Sequence, residues 1–189
     1  MINLGVHENC LGFEIHDGER LVTLYRAREE LPRGESPKPC FAPIYTPSGL
    51  LVTEYRPADH PWHTGLCLGW VHANSANLWG GPWYLPEKDK YELVEGSHGV
   101  QRHVGFVEEQ VDAEGVFIQE QVEWVDADDR PMAEEVRSYT FSKTEEPGYL
   151  WVIETQIRPA VGRLCLGASR AQPAGSYRAQ ALRSFVAAG

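Results

Sequence analysis

The sequence predicts an all-β fold, an antiparallel β-sandwich, on three observations. Its longest apolar segments alternate at period two. Their connections are short and rich in turn residues. No ten-residue segment before Ser176 repeats at 3.6, as an amphipathic helix would require.

The elements follow in order. Leu11–His16 and Arg20–Arg26 read as strands joined at Asp17-Gly18, a strong short hairpin signal. Pro39–Tyr45 and Leu50–Tyr55 flank Thr46-Pro47-Ser48-Gly49, where Pro sets φ and Gly permits a positive one. Gly65–Val71 reads as a short apolar strand. Trp83–Ser97, with Pro86, Lys88 and Lys90, reads as an exposed loop. Val100–Val111, Val116–Val125, Pro131–Phe141 and Tyr149–Ile157 are the long strands. In the second of these Val116, Ile118, Val122 and Trp124 share one face, and Gln119, Gln121 and Glu123 the other. Tyr149, Trp151, Ile153 and Ile157 repeat the pattern.

At 189 residues the chain is long enough for one domain with a substantial core. A formal net charge of −10 disfavours nucleic acid and anionic membranes, which reward clustered Lys and Arg. No apolar run approaches the ~20 residues of a membrane span, and no secretory signal is expected at the N-terminus. Cys10, Cys40, Cys67 and Cys165 form no C-x-x-C pair, so free thiols in a reducing cytoplasm are expected. Every Asp and Glu lies at or before Glu154, whereas Arg158, Arg163, Arg170, Arg178 and Arg183 follow. Residues 1–162 therefore read as the β-sandwich domain. Residues 163–189 read as an irregular basic tail, either native with a short helix around Ser176–Ala188 or non-native in origin.

The candidate site centres on Asp59-His60-Pro61-Trp62-His63-Thr64-Gly65, continuing to Trp70, Asn74, Asn77, Trp79, Gly80 and Gly81. Imidazoles and amides are costly to bury unless hydrogen-bonded, so core building does not call for this mixture. Histidine exchanges protons near neutral pH or ligates metal, and tryptophan offers a flat apolar face with one N–H. His98, Arg102 and His103 form a second cluster. The candidate catalytic residues are His60, His63, His98 and His103. Asp59, Trp62, Asn77, Trp79 and Arg102 are candidate ligand contacts. The four histidines would suit zinc, copper or iron, with Asp59 as an oxygen donor, but H-x-x-H in a loop is a weak signal. No metal site is assigned and the cofactor stays open. The carboxylate pairs Glu108/Glu109, Glu120/Glu123 and Glu134/Glu135 need not converge on strands, and an acidic surface would look the same. Nucleotide and nucleophile-elbow motifs are missing.

Lys38-Pro39-Cys40-Phe41-Ala42-Pro43-Ile44-Tyr45-Thr46-Pro47-Ser48-Gly49, then Asp59 to Leu66, then Asn77-Leu78-Trp79-Gly80-Gly81, resembles a bacterial family labelled the PmoA family, or methane oxygenase PmoA. Ser97-His98-Gly99 with Arg102-His103 resembles its His-Gly segment. The resemblance covers about residues 10–162. It departs at Ala42, where that family usually has a larger polar residue, and after Gly162, where its members continue. More distantly, the pattern resembles galactose-mutarotase-like sandwiches, which bind sugars with a His acid and a Glu base. That likeness implies a half or partial supersandwich carrying His candidates, with the base in a missing second half.

Four functions follow as expectations. The first is an enzyme acting on a carbohydrate or related polyol through a His/Trp-lined site. The others are a non-catalytic carbohydrate-binding sandwich, a metal-dependent oxidoreductase as the family label implies, and an inactive fragment. The expected partner is a carbohydrate-like small molecule.

Overall fold

The computed structural model describes residues 4–167 and the backbone of Phe185–Ala188. Strands β1 (Leu4–Glu8), β2 (Gly12–Asp17), β3 (Arg20–Arg26), β4 (Cys40–Ile44) and β5 (Leu66–Cys67) form one antiparallel sheet in that order. After β6 (His72–Ala73) and the small hairpin β7 (Trp83–Leu85) and β8 (Lys90–Glu92) come the long strands. These are β9 (Val100–Val111), β10 (Val116–Val125), β11 (Pro131–Lys143) and β12 (Gly148–Pro159), followed by β13 (Leu166–Gly167) and β14 (Phe185–Ala188). The second sheet runs β14-β12-β11-β10-β9, and β13 pairs with β6. The two sheets pack face to face as an all-β antiparallel sandwich.

Local chemistry explains most of the strand boundaries. Asp17 pairs with Arg20 across the first hairpin, where Gly18 takes φ 64°. Gly49 at φ 87° closes the next turn by donating its N–H to the Thr46 carbonyl at 2.9 Å. Leu50–Tyr55, expected as a strand, makes only an isolated bridge between Tyr45 and Leu51. Here the Thr53 hydroxyl accepts from the Ile44 N–H at 2.9 Å, so a side chain replaces a ladder carbonyl. Trp83–Ser97, expected as a loop, contains the β7–β8 hairpin. The pairing of β1 with β2 lies outside the sequence expectations. The helix expected around Ser176–Ala188 falls largely outside the described residues, and Phe185–Ala188 is a strand.

The long strands reach beyond the first sheet, and two cores result. In one, Phe13, Ile15, Tyr25, Phe41 and Ile44 of the first sheet meet Val116, Ile118, Phe141, Tyr149 and Trp151 of the second. In the other, Val122, Trp124, Met132 and Ala133 are covered by Ala73, Ala76 and Leu78, with Leu68, Trp70, Leu164 and Leu166 at the margin. The inward faces of β10 and β12 are those that period two predicts.

Between the cores lies a polar belt. Glu120, Glu135 and Arg137 face inward and are buried. Arg137 donates to Glu135 through Nε at 2.6 Å and Nη2 at 2.7 Å. Glu135 also accepts from Trp124 Nε1 at 2.7 Å and Thr155 Oγ1 at 2.6 Å. The Glu120 carboxylate accepts from Tyr139 at 2.8 Å, from Tyr25 of the opposite sheet, and from His103 Nδ1 at 2.6 Å. Burial and then the Glu120 charge push the Tyr25 phenol well up, so it keeps the proton it donates.

This belt sets an expected stability pattern. Burial alone would raise the Glu135 carboxyl, but the Arg137 charge and hydrogen bonds from Arg137, Thr155 and Trp124 hold it below its ordinary value. Its contribution is therefore complete above the unfolded carboxylate range and lost as pH falls through the lowered value. Arg137→Leu should cost about 3–5 kcal/mol at neutral pH, because it strands a buried charge. The double variant Glu135→Leu/Arg137→Leu should recover part of that loss. Urea unfolding midpoints measure both, and equal destabilisation of the single and double variants would count against the ion pair.

Candidate functional site

Two clefts share one wall. The first, of about 590 Å³, is lined by His60, Trp62, His63, Trp79, Trp83 and Tyr91 among others. The second, of about 480 Å³, holds Lys38, Glu54, Trp62, His63, Cys67 and Trp79. The common wall is Trp62, His63 and Trp79. The His60 and His63 ring centroids are 5.1 Å apart, and His63 meets Trp79 edge-on at 5.9 Å. A hollow of about 680 Å³ on the outer face of the second sheet is lined by Gln121, Glu123, Glu134 and Gln156. It has no aromatic wall, and strand twist accounts for its curvature.

The segment Arg33–Lys38 holds both loops that build the common wall. Glu35, buried, takes Arg56 in a two-pronged pair at 2.7 Å on each oxygen. Arg56 N–H in turn donates to the His63 carbonyl at 2.9 Å and closes the histidine loop. Within that loop His60 N–H reaches the Pro57 carbonyl at 3.0 Å, and His63 N–H reaches His60 at 2.9 Å. The Lys38 ammonium donates to the carbonyls of Trp79 at 2.8 Å and Ser36 at 2.9 Å. Burial pulls the Lys38 pKa below its ordinary value. Gly81 N–H donates to the Gly34 carbonyl at 2.9 Å, and Gln101 N–H to Pro37 at 2.9 Å, which ties the segment to β9.

The structure places the predicted site residues in two groups. Asp59, His60, Trp62, His63 and Trp79 gather at the clefts. His60 Nδ1 lies 3.0 Å from Asp59 Oδ2. This hydrogen bond holds the exposed Asp59 carboxyl below its usual value. When Nδ1 donates to Asp59, Nε2 of the neutral ring is left as the proton acceptor. Trp79 stays 42% exposed although its backbone is held on both sides.

The other four predicted residues spend their polar groups on the protein itself, although Asn77 still borders the first cleft. Asn77 is buried, and its Oδ1 accepts from Trp79 N–H at 2.8 Å and Gly80 N–H at 2.9 Å, so it shapes the Trp-Gly-Gly turn. His98 is buried with Nε2 2.7 Å from the Gly81 carbonyl. His103 lies inside the sandwich on Glu120. Arg102 pairs on the surface with Asp129, which Arg33 also engages. Glu35, Lys38 and Arg56 are supports of the cleft wall that the sequence expectations did not single out. A buried Glu and Lys inside Gly-Glu-Ser-Pro-Lys give no periodic signal, and their burial follows from the loops that cover them.

Close packing explains the paired glycines. A Cβ on Gly81, at φ 68°, would lie 2.4 Å from the Trp62 ring. Gly96 has a similar φ of 66°, with nothing within 4 Å of its Cβ position. Gly96→Ala should therefore cost only the left-handed backbone penalty, ~1–2 kcal/mol. Gly81→Ala should cost more and displace Trp62, seen as a lower thermal midpoint and a changed near-ultraviolet tryptophan signal. Equal effects in the two variants would show that Trp62 does not press on Gly81.

A family model described as a family of unknown function, DUF6807, matches residues 13–183. The match takes in both clefts and the strands from β2 to β13, leaving β1 and β14 outside it. No curated protein and no solved structure matches the chain. Among the described residues no helix is long and apolar enough to cross a membrane. With its match spanning most of the chain, the protein belongs to the DUF6807 family of unknown function.

Proposed function

We propose that the protein binds a carbohydrate or related polyol across the wall of Trp62, His63 and Trp79, with His60 and His63 placed to move protons on it. The observation that carries the proposal is Trp79. This large apolar ring is 42% exposed, yet Asn77 and Lys38 fix its backbone on either side. A rigid exposed indole beside two imidazoles and a carboxylate suits a ring with apolar C–H faces and a hydroxyl rim. The Asp59–His60 pair supplies a base with its tautomer set by the carboxylate. His98 and His103 support rather than touch the ligand, since both rings are engaged within the fold.

The motif resemblance to the group labelled PmoA would add metal-dependent oxidation. Among the described residues no three His, Cys, Asp or Glu side chains converge as ligands, so no step is routed through a metal. We also place the protein in a reducing cytoplasm, in keeping with its free thiols.

Calorimetric titration against a panel of monosaccharides and oligosaccharides tests the proposal. Trp79→Ala should weaken binding by about tenfold or more, equivalent to ~1.4 kcal/mol. His60→Ala should abolish turnover of a bound sugar while leaving its affinity within a few-fold. A wild-type protein that binds no member of the panel would end the carbohydrate proposal. Binding with no turnover in the wild type would make it a lectin-like module.

A further inference from the structure

Cys40 of β4 and Cys67 of β5 are directly opposite in the antiparallel register. Opposed residues in such pairs have Cα atoms about 4.5–5.5 Å apart, inside the ~4.4–6.8 Å that a disulfide spans. Both thiols are free. Cys40 is buried, whereas Cys67 is half-buried and lines the second cleft. The Lys38 ammonium is near enough to interact electrostatically with both sulfurs. These two cysteines therefore differ in access and share a local cation, unlike the exposed Cys10 and Cys165.

We propose that Cys40 and Cys67 form a site of reversible thiol oxidation, in which Cys67 reacts with a low-molecular-weight disulfide entering the cleft and Cys40 resolves the adduct. Glutathione disulfide illustrates the balance. The Cys67 thiolate attacks one sulfur, the S–S bond of the reagent breaks, and the first glutathione leaves with the proton that Cys67 lost. Cys40 then attacks the Cys67 sulfur, a Cys40–Cys67 bond forms, and the second glutathione leaves with the Cys40 proton. The protein dithiol loses two electrons and the reagent gains them. Burial pushes the Cys40 thiol up to about 12, which keeps it protonated and leaves the first attack to Cys67, while the direct cross-strand position opposite Cys67 lets Cys40 resolve the adduct.

The bond would fasten β5 to β4. Strand β5 is only two residues long and begins three residues after His63, so oxidation would fix the C-terminal end of the histidine loop. The proposal does not depend on what the clefts bind.

The test uses the full chain incubated with glutathione disulfide, followed by alkylation of remaining thiols under denaturing conditions and peptide mass spectrometry. The wild type should yield a Cys40–Cys67 linked peptide lacking two hydrogens, reversed by dithiothreitol. Cys40→Ser should accumulate glutathione on Cys67, and Cys67→Ser should leave Cys40 unmodified. Cys40→Ala, which keeps a small apolar side chain at the buried position, replaces the Ser variant if that does not fold. A stable glutathione adduct on Cys67 beside a free Cys40 in the wild type would overturn the proposal. So would an unreactive pair, or a bond from either residue to Cys10 or Cys165.

Discussion

The carboxylate of Glu120 joins the two sheets, and much of the structure is arranged around keeping it satisfied. It sits on the inner face of β10 with apolar neighbours on either side, where an unpaired charge would be untenable. Tyr25 reaches it from the first sheet, and Tyr139 and His103 from within the second. Arg137 and Glu135 continue the belt toward the second core, with Gln101 accepting from Arg137 at 2.8 Å. Apolar packing alone would tolerate sliding of one sheet over the other. The Tyr25–Glu120 contact has one geometry, and so it specifies the register of the sandwich.

From that register the site follows. Gln101 belongs to the belt through its side chain and to the Arg33–Lys38 segment through its backbone N–H. That segment then grips the histidine loop through Glu35 and Arg56, and the Trp79 turn through Lys38. The cleft wall is thus attached to the core by hydrogen-bonded charges, with Trp62 seated on Gly80 and Gly81 and Trp79 on Gly69. Such a scaffold can hold an exposed indole in place without burying it, which would lower the ordering cost of the ring binding proposed for it.

Much of this was legible in the residues. Period two in β10 and β12 assigned the buried faces, and Asp17-Gly18 located the first hairpin. The motif Asp59 to Gly65 with Trp79 marked the clefts, because prolines, glycines, imidazoles and indoles in one stretch suit a shaped surface. The acidic pairs were ambiguous for a physical reason. Glu120 and Glu123 fall on opposite faces of one strand, and the alternation that leaves Glu123 half-buried on the outer face buries Glu120. Only the presence of Tyr25, Tyr139 and His103 opposite Glu120 makes its burial tolerable, and those residues are 95, 19 and 17 positions away. Likewise, His98 looks like a catalytic histidine and Asn77 like a ligand contact in sequence, but the Trp79–Gly81 turn uses their polar atoms.

What the sequence determined by itself was the long strands with their buried faces and the residue types gathered at the clefts, since these depend on local periodicity, turn chemistry and residue type. Tertiary structure decided which polar side chains face the clefts and which are consumed by the fold. Hydrogen-bond capacity is finite, and His60, His63 and Trp79 are available at the clefts because Asn77, Lys38, Glu35 and Arg56 satisfy the backbone around them. The histidine-rich loop owes its position to a buried glutamate and a buried lysine whose partners come together only when the chain closes.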